Sequence, residues 1–170
     1  MPTRDSGRRR VLCLALLCGA LACGSLERTA LFTLRQRIPL GPITVSVEGW
    51  EGVGEVHAPL SSLRTPQGEK AIAVFAGWSG LDPFAEPDRQ IFAERFLRDA
   101  LVLVDSDGFG YKPVAAMSRR LYDASVPSSP APRDYVVIFH VGAGSRGYTL
   151  RLSHPDQEED AFDVAIVPLG

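Results

Sequence analysis

Proline sets the tightest limit on how this chain folds. Clusters of it at 59–66, 83–87 and 127–132 interrupt the sequence. A proline ring removes a backbone donor and clashes inside a helix, so neither long helices nor sheet interiors run through these breaks. What remains between them is short and either apolar or alternating. Thr44-Val45-Ser46-Val47 has a period of two, as a strand with one buried face does. On the same reasoning strands are expected at 43–48, 53–57, 71–77, 96–104, 111–115, 135–141, 148–152 and 162–167. The segment 88–99 is expected to be a short helix leading into the strand at Leu101, with Ile91, Phe92, Phe96 and Leu97 on one face.

Seven or eight short strands in about 130 residues, with no helices alternating between them, do not build a βαβ fold. They fit an all-β fold, an immunoglobulin-like antiparallel β-sandwich, within a chain of 170 residues that has the length of one domain. Trp50, Trp78 and the eight phenylalanines are its expected core anchors, because two facing sheets need bulky inward side chains.

The N-terminus reads differently. Arg8, Arg9 and Arg10 precede an uncharged, leucine-rich run from Val11 to Ala22 that ends in small residues just before Cys23. This is the charged, apolar and small-residue order of a secretory signal. Crossing a bilayer takes about 20 apolar residues, so the run is too short for a permanent span. The expected organisation is a signal peptide at 1–22, a lipidated tether and lead-in at 23–37, and the sandwich at 38–170. Within the lead-in, 30–34 is apolar enough to pair as a first strand. Arg8 to Leu12 also fits twin-arginine export, and Ala20-Leu21-Ala22 fits an ordinary signal peptidase, which would leave a secreted protein with a free thiol.

Gly19-Ala20-Leu21-Ala22-Cys23-Gly24 resembles the lipobox of bacterial lipoproteins, although Ala20 stands where leucine is usual. The resemblance implies a diacylglyceryl thioether on Cys23, cleavage before it, and acylation, for example by palmitate, of the new terminus. It implies a lipid-anchored protein of the bacterial cell envelope. Gly24 rather than Asp after the cysteine implies the outer membrane if the source has two membranes. Two or more acyl chains would anchor it stably.

Cleavage there leaves 14 basic residues against 19 acidic ones, a net charge of −5. Such a chain does not track nucleic acid by charge. Cys23 is then the one cysteine left, so no disulfide or thiolate zinc site forms within the chain.

Several motifs invite chemistry, and each has a plainer reading. Gly142-Ala143-Gly144-Ser145-Arg146-Gly147 matches the glycine pattern of dinucleotide sites, but 148–152 alternates like a strand where such a site needs a helix. A glycine-rich hairpin loop is expected, and no cofactor. Asp105-Ser106-Asp107-Gly108 is a partial calcium loop lacking its closing glutamate, with Pro113 in that place, and reads as a tight turn. The acidic run 156–160 reads as a solvated loop. His57, His140 and His154 have no metal-binding spacing, and Gly77-Trp78-Ser79-Gly80 falls one residue short of a nucleophile elbow. No catalytic or metal residues are assigned.

Taken together, Leu40 to Glu48, the run 96–104 into Asp105-Ser106-Asp107-Gly108 and Tyr111-Lys112-Pro113, and 135–139 before Tyr148-Thr149-Leu150 resemble an extracytoplasmic immunoglobulin-like domain of unknown function found in bacterial lipoproteins. Gly77 to Gly80 and the long 83–87 loop depart from it. The resemblance implies a non-enzymatic module that binds a ligand or an envelope protein. The alternatives are a secreted β-sandwich hydrolase using Asp105, Asp107 and a histidine, or a calcium- or sugar-binding module.

Overall fold

The computed structural model describes residues 29–40, 43–53, 63–80, 86–125, 135–155 and 164–170. In chain order the strands are β1 (Thr29–Leu31), β2 (Arg37–Leu40), β3 (Ile43–Val53), β4 (Glu69–Ser79), β5 (Leu101–Val104), β6 (Gly110–Tyr111), β7 (Pro113–Ser118), β8 (Tyr135–Gly142), β9 (Thr149–Leu152) and β10 (Val164–Pro168). Helix α1 (Glu86–Ala100) lies between β4 and β5, and α2 (Arg119–Ser125) follows β7. The strands form two five-stranded sheets, in the orders β1-β10-β9-β5-β6 and β2-β3-β4-β8-β7. Every pairing is antiparallel except β1 with β10, where Thr29 lies opposite Val164 and Leu31 opposite Ile166. The protein is a β-sandwich, as its strand pattern predicts.

Alternation decides which side faces inward. In β2 and the first half of β3 buried and more exposed residues alternate, as the period of two requires. The runs 71–77 and 135–141 are apolar apart from His140 because β4 and β8 lie inside their sheet and are covered on both faces. One face packs Val74, Val137 and Phe139 against Leu101, Leu103, Leu150 and Leu152 of the other sheet. The other face packs Phe75, Val136 and Ile138 with Met117 of β7 under Tyr122 of α2.

Tyr122 meets Phe75 edge-on at 5.8 Å and donates its hydroxyl to Glu51 at 2.9 Å. Burial, that hydrogen bond and the charge of Glu51 together push the phenol's pKa well above its ordinary value, so it stays neutral. Arg119 lies over the Phe75 ring at 5.3 Å and pairs with Asp123 one helical turn on.

The first strand of the sheets, Thr29–Leu31, lies inside the lead-in, overlapping the 30–34 segment that is apolar enough to pair. Three details differ from the sequence reading. The chain runs as one strand through 43–53, with a bulge between Val47 and Gly49; 54–57 lies outside the described residues. Residues 96–100 are helical rather than extended. Helix α2 is additional: its seven residues are too few for a periodic pattern, and Tyr122 is its buried anchor.

Helix α1 also turns a different face inward. Ala93, Phe96, Leu97 and Ala100 are buried in the core, whereas Ile91 and Phe92 are exposed. Spacings of three and four residues put the first four on one stripe.

Phe139 is fully buried at the junction of the two sheets. Phe139→Ala is expected to lower the unfolding free energy by about 3–5 kcal/mol in chemical denaturation, as ring deletion from a packed core does.

Candidate functional site

The two motifs that most invited a chemical reading meet at one end of the sandwich. Residues 105–109 connect β5 to β6, whose pairing sets Leu103 against Tyr111 and Val104 against Gly110. Residues 143–148 carry the chain from β8 in one sheet to β9 in the other. The glycine-rich segment is therefore an inter-sheet crossover, not the expected hairpin loop. Strand–loop–strand geometry also leaves it without the helix N-terminus that holds a pyrophosphate.

Asp105 organises the first loop. Its carboxylate is buried, and Oδ1 accepts the backbone N–H groups of Asp107 and Phe109, both at 3.0 Å. Oδ2 accepts the Tyr111 hydroxyl at 2.9 Å. The main chain closes the same turn, with Gly108 N–H donating to the Asp105 carbonyl at 3.0 Å and Asp105 N–H to that of Phe109 at 3.1 Å. Gly108 sits at φ +85°, a left-handed conformation that glycine adopts without a Cβ clash, and the expected Asp-Gly turn is present.

Ser145 ties this turn to the crossover. Its hydroxyl is 2.9 Å from the Tyr111 oxygen, and its carbonyl accepts Lys70 Nζ at 2.6 Å and the Tyr148 hydroxyl at 2.7 Å. Ser106 N–H donates to the Arg146 carbonyl at 3.0 Å. Gly147, at φ +64°, passes so close that a Cβ there would come within 3.2 Å of the Ser106 side chain. The two loops are thus one interlocked unit joining both sheets.

This geometry decides what Asp105 does. Burial works to raise its pKa, but hydrogen bonds from Tyr111, Phe109 N–H, Ser145 and Asp107 N–H outweigh that and hold it below the ordinary 3.8. Oδ1 already accepts two donors and Oδ2 a third, so the carboxylate is engaged in holding the turn. Asp107 is exposed beside it. Among the described residues, no group of three histidine, cysteine, aspartate or glutamate side chains is arranged to hold a metal ion.

The remaining sequence candidates are dispersed. His140 lies on β8, its Nδ1 3.8 Å from Glu69 and its Nε2 buried without a hydrogen bond. His154 follows β9 at the opposite end of the sandwich and meets the edge of Phe96 at 5.3 Å. Trp78 is buried among Phe92, Phe96 and Tyr135 at that end, whereas Trp50 donates to the Leu169 carbonyl at 2.5 Å. Ser79 ends β4 in a strand rather than on a strand-to-helix elbow. Cys23, His57 and 156–160 lie outside the described residues.

What sequence reading missed here is the position of Phe109. It is 67% exposed at the tip of the turn that Asp105 holds.

Fold and loop geometry define a two-sheet β-sandwich with one structured loop end. No protein-family model matches the chain, and no curated protein matches it at a significant level. Among solved structures, an uncharacterized β-sandwich protein from Clostridium difficile 630 is similar, with 10% sequence identity and a TM-score of 0.48 over 85% of this chain and 96% of that one.

Because its folded pKa is depressed, Asp105 stabilises the protein fully above the unfolded value near 3.8, and that contribution disappears as pH falls through the folded value. Asp105→Asn is expected to lower the melting temperature at neutral pH. The gap to the parent protein should narrow as the solution is acidified below the folded pKa, which circular dichroism melts across pH will show.

Proposed function

We propose that the chain is a lipid-anchored protein of the bacterial cell envelope, held through a diacylglyceryl thioether on Cys23. It acts as a binding module rather than an enzyme, and its ligand is another envelope protein. The Asp105 loop pair is the contact surface.

The observation that carries this reading is an exposed aromatic ring, Phe109, on a turn fixed by buried hydrogen bonds. Aromatic side chains are common anchors of protein contacts, and a turn already ordered before binding loses little entropy when it docks. The acid that sequence reading would have assigned to hydrolysis is instead engaged in holding that turn. The site also lies at the end of the sandwich away from Thr29, the end of β1 nearest the anchor. That placement directs Phe109 away from the membrane.

Two measurements test the reading. Mass spectrometry of the protein from its native membranes is expected to find Cys23 as an acylated N-terminal residue; a free Cys23 in a secreted product refutes the anchor. A photo-crosslinking residue at position 109 is expected to give one discrete protein adduct in intact cells, and Asp105→Ala is expected to reduce it several-fold. Adducts of equal yield at 109 and on the exposed surface of β7 would refute the contact surface.

A further inference from the structure

The opposite end of the sandwich has a surface of its own. Thr29 lies beside Val164, and Val164 begins β10 where β9 ends at Leu152 and β5 begins at Leu101. Helix α1 closes this end: Phe92 and Phe96 pack against Trp78, Glu94 accepts the Ser118 N–H at 3.0 Å, and the Ala100 carbonyl accepts Ser153 N–H at 2.9 Å. With Ala93, Phe96, Leu97 and Ala100 turned into the core, the outward face of the helix carries Ile91, Arg95, Arg98 and Asp99. Phe92 flanks it. Ile91 is 64% and Phe92 41% exposed.

An apolar pair beside two arginines on a helix face is the composition of an interfacial helix, where aliphatic and aromatic groups enter the acyl boundary and guanidinium groups meet phosphates. We propose that this face rests on the bilayer that carries the anchor, as a second membrane contact; the inference depends on Cys23 being lipidated. From Cys23 to Thr29 the backbone spans about 20 Å at most, at about 3.5 Å per residue. So short a link keeps this end of the sandwich at the membrane surface, where even a weak contact is favoured by high local concentration. Asp99 on the same face offsets one of the two arginines. Bulk electrostatic attraction therefore does not drive the contact; insertion of Ile91 and Phe92 does, with Arg95 and Arg98 holding the phosphates alongside.

The lipidated protein, extracted from membranes and reconstituted into phosphatidylethanolamine–phosphatidylglycerol vesicles, provides the test. The Cys23 sulfur is blocked as a thioether, so a cysteine introduced as Ile91→Cys or, separately, Phe109→Cys takes a single nitroxide label. Power-saturation electron paramagnetic resonance is expected to find the label at 91 relaxed more by oxygen than by a water-soluble nickel complex. The order should reverse at 109. Arg95→Glu with Arg98→Glu should shift the label at 91 toward water. A water-exposed label at 91 on singly labelled protein overturns the membrane contact alone. Two labels per chain, showing a free Cys23 thiol, overturn the anchor and this inference with it.

Discussion

The carboxylate of Asp105 is the interaction on which the form of the loop end depends. A buried charge is tolerable only when its lone pairs are satisfied, and here two backbone amides and a tyrosine hydroxyl satisfy them. The partners come from the chain immediately after Asp105, so the turn closes on its own first residue. Tyr111 then passes the connection to Ser145, whose carbonyl collects Lys70 and Tyr148. A single charged group thereby couples the β5–β6 turn in one sheet to the crossover that leaves the other.

The two ends of the sandwich differ in kind. At one, polar hydrogen bonds hold an exposed phenylalanine in a defined position. At the other, a helix fills the gap with alanine and aromatic side chains and leaves arginine and isoleucine outside. Between them, β4 and β8 are buried on both faces, by the second sheet and by α2, which makes them the rigid frame relating the ends. A protein anchored near Thr29 and offering Phe109 at the far end would use this polarity directly.

Strands with one buried face were legible because alternation reports burial, as at 44–47, and strands buried on both faces because apolar runs such as 135–139 are short and follow a proline break. The inward face of α1 was not, because two of its four buried residues are alanines, whose small side chains contribute little to a pattern judged by bulk. The parallel pairing of Thr29–Leu31 with β10 joins residues from opposite ends of the chain, and no local pattern encodes it. The same limit applies to the glycine-rich segment: periodicity marks 148–152 as a strand but does not say which sheet it joins. At the loop end the turn at Asp107-Gly108 was readable from its residue types. The role of Asp105 was not, because the partner that defines it, Tyr111 with Ser145 behind it, is assembled by the fold.

Asp105 preorganises the loop end, and the two sheets pack without its help. Residue-resolved amide hydrogen exchange tests it most directly. In the parent protein the N–H groups of Asp107 and Phe109 are predicted to exchange far more slowly than exposed loop amides. In Asp105→Ala both should lose protection while those of β4 and β8 keep theirs. Unchanged protection at Asp107 and Phe109 in that variant would show that Asp105 does not hold the turn.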